Sequence, residues 1–348
     1  MRFLLIFLLA FTTQAVAQRT IPTLTTREYE AGHFNGTVLA VKNGRVVSQV
    51  SKGNANFQFG VPIAADTRFP IASMTKLFTA ILTLQLLEQA HLRLDAAAST
   101  YVPDLPAACR RITIRELLTH TSGLRNEPVQ AYQAAYSTQE FVRRFVARDN
   151  TQKAPAFNYN NVDYILLTHV LERVTKKSFA ALVQAQILSP LQMRDTGVLS
   201  ESRVIPRLAY GYHNYTFGKG SAKDTLRNDR RYVSNYAGAG ALYSTATDLL
   251  KLVHGLKAYT LLSAATTEAY LLKPQQDTFI DYARGYSTLG FFYNDKSVAT
   301  PILERRGSID GFNSVLLTTA DFTKVLIILT NKDQADLEVF GDKIYHAF

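Results

Sequence analysis

A serine and a lysine three residues apart are the first pair in this sequence that could do covalent chemistry. Ser73 and Lys76 stand at the start of a predicted helical stretch, Ile71 to Ala90. Residues three apart on a helix share a face, so the Ser73 hydroxyl and the Lys76 amine can touch. A serine hydroxyl is a weak nucleophile that needs a base, and a desolvated lysine can lose its proton near neutral pH. The spacing indicates nucleophilic catalysis, although an exposed pair on a helix surface would share it.

A tyrosine and an asparagine form a second candidate element. Tyr159, Asn160 and Asn161 occupy a loop-like stretch just before another predicted helix. A tyrosine hydroxyl can relay a proton if neighbouring cations lower its pKa, and a side-chain amide can accept from a lysine while donating to a substrate carbonyl. The alternative is a turn residue followed by an ordinary helix N-cap.

The third element is a basic turn with a glycine in it. Arg305, Arg306, Gly307 and Ser308 fit the end of one strand and a turn into the next. The glycine would let a substrate approach the backbone closely. The N–H of Ser308 could pair with that of Ser73 as an oxyanion hole.

Together and in this order, these elements resemble the serine β-lactamase and penicillin-binding-protein superfamily. The resemblance is greatest to the class C branch, which includes D-alanyl-D-alanine carboxypeptidases and related esterases and amidases. It runs from about residue 36 to residue 331. Four longer stretches are similar to those of the family, namely Phe69–Lys76, Leu117–Leu124, Leu191–Thr196 and Leu242–Leu249.

The resemblance implies a serine hydrolase of the β-lactamase, D-Ala-D-Ala carboxypeptidase or esterase type that cleaves amide or ester bonds. Ser73 would be the acylated nucleophile, with Lys76 as its base or proton shuttle. Tyr159 would help to activate Ser73 or protonate the leaving group, and Asn161 would orient Lys76 and the substrate amide. The backbone N–H groups of Ser73 and Ser308 would hold the oxyanion. The family's mechanism implies no metal and no organic cofactor.

Arg305 departs from the family pattern, which usually has lysine or histidine there; a one-residue shift onto Arg306 is the alternative alignment. Arginine keeps the charge and can grip a carboxylate with two N–H bonds, but it does not lend a proton. We therefore expect a small-molecule or peptidoglycan-peptide substrate that carries a carboxylate. The departure also leaves open a non-catalytic protein on the same scaffold that binds wall fragments or β-lactams.

Other catalytic classes are disfavoured. There is no His-Glu-x-x-His motif, no Gly-x-Ser-x-Gly motif and no Walker A motif. Gly238-Ala239-Gly240 lacks the third glycine of a dinucleotide site. His120 could serve as a base, but the family stretch that contains it is usually structural, so we expect a packed or capping histidine.

Composition and charge limit the class of protein further. The 348 residues are 47% hydrophobic and 19% charged, typical of a globular protein and not of a disordered chain. A formal net charge of +10 favours anionic surroundings such as a wall polymer. The cations are scattered, so nucleic acid is not an expected partner, and a basic surface-adhesion protein would leave the motifs unexplained. Cys109 alone rules out an intrachain disulfide, and we expect it to be buried.

The N-terminus has the order of a secretory signal. A positive start is followed by the apolar run Phe3 to Phe11 and the small-x-small site Ala15–Ala17. This predicts a cleavable signal peptide over residues 1–17 and a periplasmic or secreted product; the alternative is a buried N-terminal helix. The apolar run is too short to span a membrane, which needs about 20 residues. The sequence predicts no oligomeric state.

Strand patterns at both ends and helical patterns between them predict the architecture that must position these residues. A hairpin is expected around Asn43-Gly44, and strands at Leu289–Tyr293, Ser314–Thr318 and Lys324–Thr330. The expected fold is α+β or α/β, with an antiparallel sheet flanked by helices and built from both termini, as in β-lactamases and transpeptidases. The predicted division is a sheet domain of residues 18–94 and 241–348 with an inserted, mainly helical domain of residues 95–240.

Overall fold

A computed structural model describes residues 20–149, 151, 156–212, 232–296 and 300–348. The predicted signal peptide, residues 1–17, lies outside the described residues. Among those described, no helix is long and apolar enough to cross a membrane.

The helices follow one another along most of the described chain. They are α1 Ile21–Glu30, α2 Thr75–Glu88, α3 Ile114–Leu118, α4 Thr138–Phe145, α5 Asn161–Thr175, α6 Phe179–Val183, α7 Ala246–Lys257, the single turn α8 Ala264–Thr266 and α9 Leu337–Tyr345. Side-chain caps begin several of them. Thr113 caps α3 in a reciprocal capping box with Glu116, and Asn160 caps α5 by accepting from the N–H of Val162.

The strands concentrate at the two ends of the chain. They are β1 Gly36–Lys42, β2 Arg45–Lys52, β3 Asn54–Asn56, β4 Val61–Pro62, β5 Phe69–Pro70, β6 Gly197–Val198, β7 Leu242–Ser244, β8 Phe279–Ile280, β9 Gly285–Ser287, β10 Phe292–Asn294, β11 Ile302–Ile309, β12 Phe312–Thr319 and β13 Lys324–Thr330. Within the described ranges, an eight-stranded antiparallel sheet runs in the order β2-β1-β13-β12-β11-β10-β9-β8. Strand β1 pairs with β13 over their full lengths, so both chain ends build one sheet, as the sequence predicts.

The β1–β2 turn forms where the sequence predicts it. Asn43 and Gly44 both have positive φ, 52° and 75°. These angles are those of the tight hairpin turn whose twist matches the twist of the flanking strands.

Both faces of the sheet are buried at its central strands, and successive side chains of a strand point to opposite faces. Val38 and Ala40 point to one face, where α1 and α9 cover them. Leu39 and Val41 point to the other face and pack into the main core with α2 and α7. Because a strand's side chains alternate with period two, one strand serves both layers.

Helices α3 to α6 lie in the described part of residues 95–240. The antiparallel sheet flanked by helices confirms the predicted fold class. The division into domains at residues 94 and 241 stays a prediction.

Two elements differ from expectation in their bounds. The predicted strand Leu289–Tyr293 is shorter and shifted, because β10 covers only Phe292–Asn294. The predicted helix from Ile71 becomes α-helical only at Thr75, because the 3₁₀ turn Ala72–Met74 comes first. Cys109 is buried, and burial raises its pKa.

Candidate active site

Ser73 lies on a bend between β5 and α2. The 3₁₀ turn Ala72–Met74 joins the two elements, and Ala72 adopts a φ of 46°. That angle belongs to the left-handed region, which residues with a Cβ rarely occupy. Backbone strain of this kind costs about 1–3 kcal/mol and persists only where surrounding packing maintains it. The fold therefore holds Ser73 on a bend that the local sequence does not favour.

The amine of Lys76 is buried and fixed by three hydrogen bonds. Nζ donates to Oγ of Ser73 at 3.1 Å and to Oδ1 of Asn161 at 2.7 Å. It also donates to the backbone carbonyl of Ala239 at 2.8 Å. Three acceptors satisfy the three N–H groups of an ammonium, so the side chain is held in one position against Ser73.

Lys76 and Tyr159 influence each other's titration. Nζ of Lys76 lies 4.9 Å from the centroid of the Tyr159 ring. Burial lowers the pKa of Lys76; Tyr159 opposes this effect and the charge of Arg305 adds to it. Burial alone would raise the pKa of Tyr159, but the charges of Lys76 and Arg305 and hydrogen bonds with Ser73 and Lys76 outweigh it and lower that pKa. Both pKa values therefore lie below those of the free side chains, and the amine and the phenol titrate as a coupled pair.

Strand β11 places Arg305 beside Ser73. The residue is 3% exposed, and its Nε donates to the backbone carbonyl of Ser73 at 3.2 Å. Its Nη2 is buried and has no hydrogen-bond partner among the described residues. Arg306 points to the opposite face of the strand and pairs with Glu304. Arg305 is thus the arginine that adds a fixed positive charge to the site.

Gly307 lies where β11 comes close to the turn that carries Ser73. A Cβ atom there would lie 2.2 Å from the carbonyl oxygen of Ile71 and 2.9 Å from the amide nitrogen of Ser73. Ser314 on β12 closes the same corner by donating to the Ile71 carbonyl at 2.9 Å. Ser308 lines one cavity together with Ser73. The absence of a side chain at Gly307 permits this close approach of the two segments.

A cavity of about 500 Å³ opens in front of these groups. Ser73, Tyr159, Asn161 and Arg305 all line it. Tyr282 stands on its rim with 64% of its surface exposed and meets the Tyr159 ring edge to face, with centroids 6.2 Å apart. The volume suits a small molecule or the end of a peptide chain.

The imidazole ring of His120 packs against the ring of Tyr159. It is 2% exposed, and its ring centroid lies 4.5 Å from that of Tyr159. Nδ1 accepts from the N–H of Asn160 at 3.3 Å and lies 2.9 Å from Oδ2 of Asp163. Burial lowers the pKa of His120 well below its usual value and raises that of Asp163 well above its own. A protonated Asp163 that donates to a neutral imidazole fits both contacts of Nδ1.

A family model for Beta-lactamase matches residues 15–347. The chain belongs to the Beta-lactamase family. Because the match spans nearly all of the sequence, the predicted resemblance to serine β-lactamases and penicillin-binding proteins is confirmed.

Relatives of this Beta-lactamase family chain include named hydrolases. Teichoic acid D-alanine hydrolase of Staphylococcus aureus is 28% identical over 295 residues, 79% of this chain and 71% of that protein. A penicillin binding protein from Bacillus halodurans is 26% identical, with a TM-score of 0.76 over 93% of this chain and 99% of that one. D-amino acid amidase from Ochrobactrum anthropi SV3, solved with D-phenylalanine, has a TM-score of 0.79 at 22% identity, over 96% and 99% of the two chains. That likeness shows the fold alone.

The sequence does not predict two of the hydrogen-bond acceptors at this site. The carbonyl of Ala239 binds Lys76, and Oε1 of Glu127 accepts from Nδ2 of Asn161 at 2.9 Å. A backbone carbonyl has no signature in a sequence, and a single acid in a loop has a weak one. In the part of the chain that the structure describes, no group of three or more His, Cys, Asp or Glu could hold a metal.

Proposed function

We propose that this protein is a serine hydrolase that forms an acyl-enzyme on Ser73 and cleaves ester or amide bonds of D-aminoacyl compounds. The observation that carries the proposal is the 3.1 Å contact between Lys76 Nζ and Ser73 Oγ, with Lys76 fixed by Asn161 at 2.7 Å. A nucleophile, a base and a group that orients the base are the parts that acyl transfer needs.

The reaction proceeds in two halves. Oγ of Ser73 attacks the acyl carbonyl, and its proton passes to the Lys76–Tyr159 pair, which holds one proton fewer before the attack. The N–H groups of Ser73 and Ser308 stabilise the oxyanion. The same pair then protonates the leaving alcohol or amine, which completes the acyl-enzyme. Water repeats the sequence on the ester of Ser73 and releases the acid.

Two features support a substrate that carries a D-amino acid and an anionic group. The teichoic acid hydrolase is named for D-alanine and the amidase for D-amino acids. Arg305 lines the cavity and its buried Nη2 has no hydrogen-bond partner among the described residues, and a planar guanidinium is suited to binding a carboxylate. The proposed substrates are therefore small molecules or peptidoglycan peptides with a carboxylate near the scissile bond.

We also propose that the protein is exported to the periplasm or the exterior after cleavage following Ala17. The order of charge, apolar run and small-x-small site supports this proposal. The mass of the mature protein, expressed from the full sequence, tests it. A chain that begins at Gln18 is the expected product, and a chain that keeps Met1 or Arg2 would contradict export by this signal.

A nucleophile test decides the central proposal. Ser73→Ala and Lys76→Ala are compared with the parent and with Ser48→Ala, which changes a serine on the outer strand β2. A fluorescent penicillin should label the parent and Ser48→Ala and fail to label Ser73→Ala. A panel of a D-alanyl ester, its L-alanyl isomer, a D-Ala-D-Ala peptide, a chromogenic cephalosporin and a p-nitrophenyl ester then ranks the substrates. Equal hydrolysis by Ser73→Ala and the parent would exclude the mechanism.

A second candidate function is a non-catalytic protein that binds wall fragments or β-lactams. Arg305 favours it, because an arginine holds an anion without relaying a proton. It predicts binding without turnover and an acyl-enzyme that is long-lived or absent. Intact mass measured before and after exposure to each substrate separates the two functions.

A further inference from the structure

Glu127 lies one hydrogen bond behind the residues that hold Lys76. It belongs to the loop that follows α3. Oε1 accepts from Nδ2 of Asn161 at 2.9 Å and from the hydroxyl of Tyr132 at 2.6 Å. Oε2 is buried without a hydrogen-bond partner among the described residues. The proposed mechanism gives this acid no role.

The contact with Glu127 selects one of the two orientations of the Asn161 amide. The oxygen and nitrogen of an amide are close in size, so their orientation is set by the groups they meet. Nδ2 faces the Glu127 carboxylate, and Oδ1 therefore faces Nζ of Lys76 at 2.7 Å. The flipped amide would bring N–H groups against the Lys76 amine and oxygen against oxygen at Glu127. Glu127 thus acts on Lys76 through Asn161.

Glu127 is itself held from the other side. The Tyr132 ring stacks on that of Tyr236, with centroids 4.1 Å apart and an angle of 19° between planes. Burial and the charge of Glu127 raise the pKa of Tyr132, so its hydroxyl remains a donor. Because Tyr236 lines a cavity with Ser73, the support of Glu127 is continuous with the wall of the site.

Charge gives Glu127 a second means of acting on Lys76. Burial and Arg305 both lower the pKa of Lys76, whereas Tyr159 and Glu127 raise it. The titratable and charged groups around this chain of contacts are Lys76 on α2, His120 and Tyr132 from the segments after α3, Tyr159 and Asp163 at the start of α5, Tyr236 from the turn before β7 and Arg305 on β11.

We propose that Glu127 is a positioning residue for the reaction, which holds Asn161 in one amide orientation and Lys76 at Ser73, and whose negative charge sets the pH range of activity. This inference rests on the proposed function. Carboxylate, amide and amine form one line of contacts that ends at the nucleophile.

Two substitutions separate the charge of Glu127 from its contact. Glu127→Gln keeps an acceptor oxygen for Asn161 and Tyr132 and removes the charge. Loss of a nearby anion lowers the pKa values of the Lys76–Tyr159 pair, so the acidic limb of the kcat/KM profile should move to lower pH by about 1 unit. Glu127→Ala also frees the amide, and kcat should fall roughly 10- to 100-fold.

Conservative and control variants exclude a merely structural role. Glu127→Asp restores the charge but shortens the reach to Asn161, so the acidic limb should return while kcat stays low. Glu172→Gln removes a part-buried carboxylate at the far end of α5, where it accepts from the N–H of Phe179 at 2.9 Å. That control should leave the limb unmoved. If Glu127→Gln fails to fold, Tyr132→Phe, which removes one donor to the same oxygen and keeps the ring, tests the arrangement through kcat, expected to fall severalfold.

The Glu127 variants can contradict the inference in two ways. The inference is overturned if the acidic limb of the kcat/KM profile of Glu127→Gln coincides with that of the parent. It is also overturned if Glu127→Ala keeps the full kcat of the parent. Profiles are measured with a p-nitrophenyl ester and are normalised to active sites counted by acylation. The result for Ser73→Ala distinguishes a failure of the proposed function from a failure of the role assigned to Glu127. If that variant stays active, the proposed function itself fails; if it is silent and the Glu127 variants match the parent, only the role of Glu127 is wrong.

Discussion

Nε of Arg305 donates a hydrogen bond to the backbone carbonyl of Ser73 at 3.2 Å, across 232 positions of sequence. The bond joins β11 to the turn that carries Ser73. It leaves Nη2 buried without a hydrogen-bond partner in the described ranges, and Arg305 lines a cavity together with Ser73 and Tyr159. One side chain therefore supports the Ser73 turn and also lines the cavity in front of it.

Replacing Arg305 should separate those two roles. Arg305→Ala removes both, and kcat/KM for a substrate with a carboxylate should fall roughly 10- to 100-fold, the effect of a lost hydrogen bond to a charged group. Arg305→Lys keeps the charge but not the planar donors, so it should recover only part of that loss. Steady-state kinetics on paired carboxylate and neutral esters measures the difference. Equal losses on both esters would mean that Arg305 acts only on Ser73 and binds no anion.

Gly307 should tolerate no side chain. Gly307→Ala puts a Cβ 2.2 Å from the Ile71 carbonyl oxygen, so β11 or the Ser73 turn must move. Misplacement of reacting groups by about 1 Å can cost 10²-fold in rate, and we expect a loss of kcat of that order with the fold retained.

Gly341→Ala is the matched control, because a Cβ there meets its nearest atoms at 3.9 and 4.0 Å on helix α9. It should keep full activity and gain about 0.5–1 kcal/mol in free energy of unfolding. Activity and thermal unfolding of both variants decide the point. A fully active Gly307→Ala would remove the need for close approach at this strand.

The fold was predictable where the pattern is local. Continuous apolar runs mark β1 and β13 because both faces of these strands are buried, and Asn43-Gly44 marks its turn by positive φ. The bounds of β10 were not predictable, because its ends depend on pairing with β9 and β11 and not on its own residues.

The site was predictable where a side chain carries its own signature. The helical spacing of Ser73 and Lys76 is enough to suggest contact between their side chains, and the distance is 3.1 Å. The Ala239 carbonyl, the strained φ of Ala72 and the carboxylate of Glu127 depend on how distant segments meet, which no local pattern records. The chemical roles of the site residues stay predictions until variants are measured.

Tyr159→Phe tests the proton route. It removes the hydroxyl and keeps the ring that lies against His120, so the fold should be retained. If the phenol takes or gives the proton, the rate of acylation should fall about 10²- to 10⁴-fold with little change in binding. Stopped-flow labelling with a fluorescent penicillin measures that rate. Tyr282→Phe, on the rim of the cavity, is the control and should stay within a few-fold of the parent. An unchanged rate in Tyr159→Phe would assign the whole proton duty to Lys76.

The protonation state of Asp163 should be detectable in how the free energy of unfolding changes with pH. Burial raises its pKa well above the usual value. The folded protein then binds a proton that the unfolded chain releases above about pH 4, so this group's contribution to the free energy of unfolding declines as pH rises toward the folded pKa. Asp163→Asn imitates the protonated acid: its amide can donate to Nδ1 of His120 and accept from Ser122, the two partners of Asp163.

We therefore expect Asp163→Asn to equal the parent near pH 4 and to be the more stable protein at pH 8. Asp163→Ala should be less stable at every pH, because it removes the buried hydrogen bonds that Asp163 makes with His120 and Ser122, at roughly 1–3 kcal/mol each. His120 opposes the trend only on the acid side, since its lowered pKa makes folding less favourable as pH falls below about 6.5. Denaturant unfolding from pH 4 to pH 8 measures all three proteins. If Asp163→Asn loses stability relative to the parent as pH rises, Asp163 is ionised in the folded state, and His120 must carry the proton between them.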